Sequence, residues 1–252
     1  MITVKQRRSI VKKKAFLTIL ILLLSAVSPL AGADDSGRTV ESGSMAITQQ
    51  MQQSLSPREV LALIKEGNRR FVSGKTFGHD YRREIRETAE AQYPPAIFLS
   101  CIDSRVAPEI VFDLGIGDIF DVRVAGNIVN ADIAGSMEYA TKMAGSKLVL
   151  VMGHTGCGAV KGAVEDLKLG NLTGLLAKLK PAIIATNHSA GERTSKNKKF
   201  VDAAALENVK LTIENIHRIS PVLRQLENDY KILITGCLYD IKTGQVTFID
   251  EN

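Results

Sequence analysis

The sequence predicts an α/β fold with a mostly parallel central β-sheet flanked by helices. Four short apolar runs have the length and composition of buried strands, and segments with helical spacing of apolar residues separate them. Parallel neighbours in a sheet need a long connection, which is usually a helix, so this alternation favours parallel pairing. The end of the chain resembles a hairpin, which predicts one antiparallel edge.

The first predicted element is a helix that begins at Pro57. Ser56 is a good N-cap, Pro57 suits the first helical position, and Glu59 completes a capping box. Apolar residues then recur at helical spacing as far as Phe71. The next segment is polar around His79, which predicts a solvated loop.

The remaining elements alternate along the chain. The predicted strands are PPAIFLSC, DIFDVRVAG, KLVLVMG and KILITGCLYD, and the last leads into the hairpin YDIKTGQVTFID. Helical patterns occupy 106–113, 131–144, 158–168 and 200–229, and a polar loop spans 187–199. Ligand sites in open parallel sheets form beyond the carboxyl ends of strands, so the loops that follow the first and third strands are the place to look for chemistry.

The N-terminus is typical of a secretory signal peptide. Residues 1–14 are basic without an acid, residues 15–30 are almost entirely apolar, and Ala31-Gly32-Ala33 is a small-x-small cleavage signal. We therefore expect a signal peptide over 1–33, a flexible leader or N-terminal arm over 34–55, and a single domain over 56–252. The mature protein is expected to be periplasmic or secreted, with no membrane attachment after cleavage.

Removal of the signal peptide changes the charge balance. The whole chain has 32 basic and 27 acidic residues, and six of the basic ones precede residue 34, which leaves 26 basic against 27 acidic. Such a balance gives no indication of nucleic acid or an acidic membrane surface as a partner.

The sequence has only three cysteines, and a low, odd number does not suit a disulfide framework. One disulfide and metal ligation by two thiols are the two alternatives. Cys101 follows the first strand, and His154 and Cys157 follow the third. Two thiolates and an imidazole with an open fourth position suit a catalytic zinc ion, whereas Cys237 lies in an apolar strand, where a buried thiol is the commoner state.

Asp103 and Arg105 lie two and four residues beyond Cys101. The carboxylate could bind the metal or pair with the guanidinium, and a paired Asp103 would leave the fourth position to water. The alternative is that both residues cap the next helix. Titratable groups cluster at functional sites, which favours a role in the chemistry.

The combination CIDSRVAPE, GDIFDVRVAGN, GSMEYA and GHTGCGAV resembles the β-class carbonic anhydrases over about residues 56–250. The resemblance implies a zinc lyase that converts CO2 and water reversibly to bicarbonate and a proton through zinc-bound hydroxide. It implies Zn²⁺ held by Cys101, His154 and Cys157, and an Asp103–Arg105 dyad beside it. It also implies an active site at a dimer interface, hence a homodimer or higher oligomer.

The resemblance extends to three residues of the substrate pocket. Gln92, Phe120 and Tyr139 match substrate-binding positions of the plant-like subgroup, and the lack of tryptophan also favours that subgroup. Asp121 departs from the family pattern, which usually has an apolar residue there, and we expect its side chain to face solvent.

Two other functions remain open at this point. The same scaffold could hydrolyse another heterocumulene such as carbon disulfide. A zinc-stabilised structural or bicarbonate-sensing module is the other alternative, but a purely structural zinc needs none of Asp103, Arg105 and Gln92.

Overall fold

The computed structural model describes residues 46–249. The predicted signal peptide, 1–33, and the first part of the predicted leader lie outside the described residues. Ten α-helices and five strands lie within them. The helices are α1 (Gln49–Ser54), α2 (Pro57–Ser73), α3 (Tyr81–Thr88), α4 (Pro108–Val111), α5 (Ala131–Glu138), α6 (Gly158–Val164), α7 (Gly170–Ala177), α8 (Lys180–Ala185), α9 (Lys198–Ile219) and α10 (Pro221–Asn228). The strands are β1 (Ala96–Ser100), β2 (Ile119–Arg123), β3 (Leu148–His154), β4 (Leu233–Tyr239) and β5 (Val246–Phe248).

The strands form one sheet in the order β2-β1-β3-β4-β5. The first four strands are parallel, and β5 pairs antiparallel to β4. This confirms the predicted fold class and the antiparallel edge.

Both faces of the sheet are covered by helices. Phe98 and Leu150 point to one face, where they pack with residues of α2 and α4, whereas Leu99 and Val151 point to the other, where they pack with residues of α5, α9 and α10. β1 and β3 are therefore buried at every position and mostly apolar, as is usual for parallel strands covered on both faces.

The predicted helix start at Ser56 is confirmed. The Ser56 hydroxyl accepts a hydrogen bond from the Glu59 N–H, and the Glu59 carboxylate accepts one from the Ser56 N–H. The helix ends at Gly74, which adopts the left-handed conformation that favours glycine.

The last residues of the segment predicted as a leader or N-terminal arm are helical. Residues 49–54 form helix α1, and Gln52 is buried with its amide donating to the carbonyls of Pro94 and Ala144, at 3.0 and 2.8 Å. The Gln52 side chain therefore links α1 to the segment before β1 and to the segment before β3. No sequence pattern near Gln52 indicated these contacts.

The predicted helix over 200–229 is two helices. α9 ends at Ile219 and α10 begins at Pro221, because proline is tolerated in a first helical turn but not in a helix interior. Ser220 between them caps α10 through its hydroxyl, which accepts from the Leu223 N–H. Within residues 46–249, none of the helices combines the length and apolar character that spanning a bilayer requires.

Candidate active site

The two motif-bearing segments lie side by side at the carboxyl ends of β1 and β3. These strands are hydrogen-bonded neighbours, with Ser100 opposite Met152. Cys101 directly follows β1, His154 is the last residue of β3, and Cys157 immediately precedes α6. The topology therefore brings together residues that are more than fifty positions apart in the sequence.

Cys101, His154 and Cys157 form one buried cluster. Their two sulfurs and an imidazole nitrogen all lie within 4.8 Å of one another. Within residues 46–249, this is the one set of three histidine, cysteine or acidic side chains arranged to hold a metal ion. All three side chains are at most 3% exposed.

The His154 ring is oriented by its own backbone neighbourhood. Nδ1 lies 3.0 Å from the carbonyl oxygen of Thr155, so Nδ1 carries the proton and donates it. Nε2 is then left with a lone pair, and it is buried without a hydrogen-bond partner among the described residues. A buried nitrogen lone pair beside two sulfurs is what a metal ligand requires.

The two thiols have opposite pKa shifts. A hydrogen bond from the Cys157 thiol lowers the pKa of Cys101, and the same bond raises the pKa of Cys157. The backbone N–H of Gly126 also donates to the Cys101 sulfur at 3.4 Å, from a left-handed conformation with φ of 71°. Cys101 is therefore the more readily ionised of the two sulfurs, and metal binding would require both to lose their protons.

These residues fit a zinc ion. Two sulfurs and one imidazole nitrogen are preferred zinc donors, and three protein ligands leave the fourth position of a tetrahedral site open. Cys237 lies in the middle of β4. Its side chain is completely buried and packs in the core with Phe98 and Met152. This burial agrees with the interpretation of Cys237 as a core thiol, and it also raises the pKa of the thiol.

Asp103 and Arg105 form a bidentate ion pair beside the cluster. Arg105 Nε lies 2.9 Å from Oδ1 of Asp103, and Nη2 lies 2.7 Å from Oδ2. The guanidinium holds the pKa of Asp103 well below its usual range. Oδ2 lies 3.9 Å from Nε2 of His154, so the carboxylate faces the metal ligands while Arg105 holds it.

A largely apolar cavity of about 270 Å³ adjoins the cluster. Cys101 and Asp103 form its polar end. Small residues and leucines from the start of α6 to α7 form most of the remaining wall, namely Gly158, Ala159, Gly162, Leu167, Leu172 and Leu176. The sequence analysis missed these leucines, although three leucines shortly after the Cys157 motif were a signal that could have found them.

The three predicted substrate-binding residues lie elsewhere on the chain. Phe120 and Tyr139 pack edge to face with 6.4 Å between ring centroids, and Tyr139 is 58% exposed. Gln92 is exposed before β1. None of the three lines the 270 Å³ cavity within one chain.

Comparisons with known proteins point to one family. A family model described as carbonic anhydrase matches residues 96–246. The chain is 32% identical over 191 residues to carbonic anhydrase 2 of Mycobacterium tuberculosis, which covers 74% of this chain and 90% of that protein. It is 32% identical over 189 residues to a carbonic anhydrase of Mycolicibacterium smegmatis, with 73% and 88% covered.

Solved structures show the same fold. The β-carbonic anhydrase CcaA superposes with a TM-score of 0.61 at 26% identity, covering 75% of this chain and 95% of that one. A structure from a study of two tetrameric β-carbonic anhydrases of Sordaria macrospora gives a TM-score of 0.62 at 24% identity, covering 73% and 94%.

Proposed function

The chain belongs to the β-class carbonic anhydrase family, and from that premise we propose that it hydrates CO2 at a zinc ion held by Cys101, His154 and Cys157. Its reaction is the reversible conversion of CO2 and water to bicarbonate and a proton. The observation that carries the zinc assignment is the buried, unpartnered Nε2 of His154 within 4.8 Å of two sulfurs.

When bound, zinc lowers the pKa of a coordinated water to about 7 and so supplies a nucleophile near neutral pH. The protein residues have three tasks around it. Nε2 of His154 and the two sulfurs hold the ion, and the Thr155 carbonyl fixes the ring through Nδ1. This hydrogen bond fixes the tautomer in which Nδ1 carries the proton, so that Nε2 would present its lone pair to the ion.

Asp103 orients the attacking water. Its carboxylate lies 3.9 Å from Nε2 of His154, on the side of the cluster where it would accept a hydrogen bond from a water beside the ion. Arg105 holds the same carboxylate through two parallel hydrogen bonds, so Asp103 does not itself take that position. The apolar cavity beside Asp103 suits CO2, which is uncharged and offers few groups for hydrogen bonding.

The protein belongs to the plant-like subgroup and is active as a homodimer. Gln92, Phe120 and Tyr139 do not line the cavity of their own chain, so they can contact substrate there only from a second copy. Two features support such a contact: Tyr139 is well exposed, and β2, which carries Phe120, is an edge strand of the sheet. The Sordaria structure comes from tetrameric proteins, which is consistent with association of this fold.

The mature protein is an exported one that begins near Asp34. The basic, apolar and small-residue regions before Asp34 support this proposal. N-terminal sequencing of the mature form tests it, and a chain that keeps Met1 in the soluble cytoplasmic fraction would contradict it.

Stopped-flow CO2 hydration by purified residues 34–252, with metal analysis of the same sample, tests the proposed function. We expect about one zinc per chain and turnover that disappears on chelation and returns with zinc. Carbon disulfide in the same assay separates the two heterocumulene substrates. A zinc-free chain that still hydrates CO2 would refute the metal mechanism.

A further inference from the structure

The loop between β1 and α4, residues 101–107, carries a metal ligand and the acidic group beside it. It has no regular secondary structure. Two of its own hydrogen bonds shape it, from the Val106 N–H to the Asp103 carbonyl and from the Arg105 N–H to the Asp103 carboxylate. Both bonds stay inside the loop, so they shape the loop without fixing where it lies relative to the sheet.

Arg123 connects this loop to the neighbouring strand. It is the last residue of β2 and lies opposite Ser100 in the parallel register, directly beside the start of the loop. Nε and Nη2 donate to the carbonyl of Cys101 at 3.1 and 3.0 Å, and Nη2 also donates to the carbonyl of Asp103 at 2.7 Å. One planar guanidinium therefore holds the two backbone positions on which the site depends.

We propose that Arg123 is a positioning residue for CO2 hydration: it fixes the backbone of Cys101 relative to Asp103 and so keeps the Asp103 carboxylate off the metal. The inference rests on the proposed function, because it assigns Arg123 a role only in relation to a metal at Cys101, His154 and Cys157.

Arg105 alone does not give this control. Asp103 and Arg105 lie on the same loop, so the ion pair can shift as a unit while its internal distances stay at 2.7 and 2.9 Å. Arg123 instead belongs to a strand whose Val124 N–H bonds to the Ser100 carbonyl at 3.0 Å. Arg123 therefore holds the loop in a fixed position relative to the sheet.

The distances indicate why a small loop movement matters. Oδ2 of Asp103 is 3.9 Å from Nε2 of His154, so the carboxylate already lies next to the ligand cluster. Misplacement of a catalytic group by about 1 Å can lower turnover about 100-fold. A lysine in place of Arg123 has no planar fork and cannot reproduce the shared contacts to both carbonyls.

The test compares Arg123→Gln and Arg123→Lys with wild type in the full mature chain. Arg218→Gln is the matched control, because Arg218 is an arginine that bonds only to Asn215 of its own helix among the contacts seen. The readouts are amide exchange of residues 101–107, thiocyanate affinity and visible spectrum of the cobalt(II)-loaded protein, and kcat and KM for CO2.

We expect Arg123→Gln to retain about one metal per chain and to exchange the loop amides about tenfold faster. Thiocyanate should bind about tenfold more weakly with an altered cobalt spectrum, because Asp103 reaches the metal, and kcat should fall about 10- to 100-fold with little change in KM. Arg123→Lys should recover part of each loss, and Arg218→Gln should match wild type.

A double-mutant cycle with Asp103→Ala isolates the mechanism. If Arg123 acts through Asp103, Arg123→Gln should not weaken thiocyanate binding in the Asp103→Ala background. Equal weakening in both backgrounds would overturn the inference, as would wild-type thiocyanate affinity and kcat in Arg123→Gln. If Arg123→Gln does not fold, the cycle is made with Arg123→Lys under the same criteria.

The failure of the proposed function has a different signature. In that case the wild-type chain itself binds no metal or does not hydrate CO2, and this inference falls with it. A wild-type chain that does both, beside an unaffected Arg123→Gln, overturns the positioning role alone.

Discussion

At the scale of single residues, the three cysteines have two different environments. Cys101 and Cys157 lie in the ligand cluster, whereas Cys237 lies in the core beside the central strands. Cys157→Ser should lower zinc affinity by more than about 100-fold, beyond the loss typical of an outer-shell change, and abolish activity with it. Cys237→Ser is the matched control and should keep about one zinc per chain. Metal analysis after dialysis against a weak chelator measures both, and zinc loss from Cys237→Ser would make Cys237 a ligand.

The Asp103–Arg105 pair predicts two variants with similar activity and different anion binding. Arg105→Ala should free the carboxylate to occupy the metal, so that azide or thiocyanate binds poorly. Asp103→Ala should leave the metal open to anions but remove the group that orients water. Both should lose about 100-fold in kcat. The inhibition constants of thiocyanate for the two variants test this prediction. Equal constants would mean that Asp103 and Arg105 only cap the next helix.

Asp121 was expected to face solvent, and that expectation is wrong. Its side chain is half-buried and accepts a hydrogen bond from the Ser100 hydroxyl at 3.3 Å. Burial and, to a smaller extent, the nearby Glu109 raise its pKa to about 6, against the opposing effects of Arg123 and the Ser100 hydrogen bond. The folded state therefore binds this proton more tightly than the unfolded chain, whose aspartate pKa is about 3.9.

This shift predicts a pH-dependent stability. The contribution of Asp121 is fully favourable below about pH 4 and is lost as pH rises through about 6, because the folded state must then bury a charge. Asp121→Asn should raise the free energy of unfolding at pH 8 by about 1 kcal/mol, after discounting for partial exposure, and leave it unchanged at pH 4. Urea unfolding at both pH values measures this difference in the free energy of unfolding.

Asp132→Asn, at an exposed position, is the control and should show no such pH-dependent gain. A gain of Asp121→Asn at pH 4 equal to that at pH 8 would contradict the assignment.

At the scale of elements, α2 and α4 approach each other through a glycine. A Cβ added at Gly67 would lie 1.9 Å from the carbonyl oxygen of Phe112, which is backbone and cannot rotate away. The close contact allows Val60 and Ile64 on α2 to pack with Phe112 against the sheet. The helix therefore needs glycine here in spite of its cost to helix stability.

Gly67→Ala should destabilise the protein by about 3 kcal/mol or more, the upper end for overpacking. Gly135→Ala is the control, since Gly135 is a glycine of α5 with nothing within 4 Å of an added Cβ. There alanine should stabilise by up to about 1 kcal/mol. Urea denaturation of both variants checks the pair, and similar effects at the two sites would mean that α2 can move away from α4.

At the scale of the whole molecule, the proposed dimer predicts complementation between defective chains. A Gln92→Ala chain keeps its metal ligands, and a Cys157→Ser chain keeps Gln92. If Gln92 acts on the partner's site, refolding the two together should give heterodimers with one complete site, about a quarter of all sites for random pairing. Stopped-flow assay of the mixture measures it.

The control for this experiment is a mixture of Asp103→Ala and Cys157→Ser chains. Asp103 and Cys157 belong to the same chain's site, so this mixture should recover no activity. A Gln92→Ala mixture that shows only the average of its separate components would contradict action from a second copy.

Much of this architecture could be predicted because its signals are local. The capping box of Ser56 and the apolar runs of β1, β3 and β4 depend on neighbours in the sequence, and the structure agrees with them. Helices α3, α7 and α8 were missed because they are short and weakly patterned, and tertiary contacts decide such segments.

The same distinction applies to polar residues. His79 was expected in a solvated loop, but its ring is buried with Nδ1 2.9 Å from the Glu84 carboxylate and Nε2 3.4 Å from that of Asp113. Gln52 is likewise buried by partners more than forty residues away. In both cases the partners come from distant segments, so no local pattern could identify the burial.

The position of the ligands at the ends of β1 and β3 has a consequence for the order of assembly. In the unfolded chain, Cys101 is separated from His154 by a loop whose closure costs entropy, and only the local His154 and Cys157 pair is available to a metal. Parallel strands form late because they depend on non-local contacts. The full ligand set therefore exists only after the central sheet has formed. The proposed zinc ion would therefore bind the already folded protein and stabilise it by mass action, and it would not be needed to start folding.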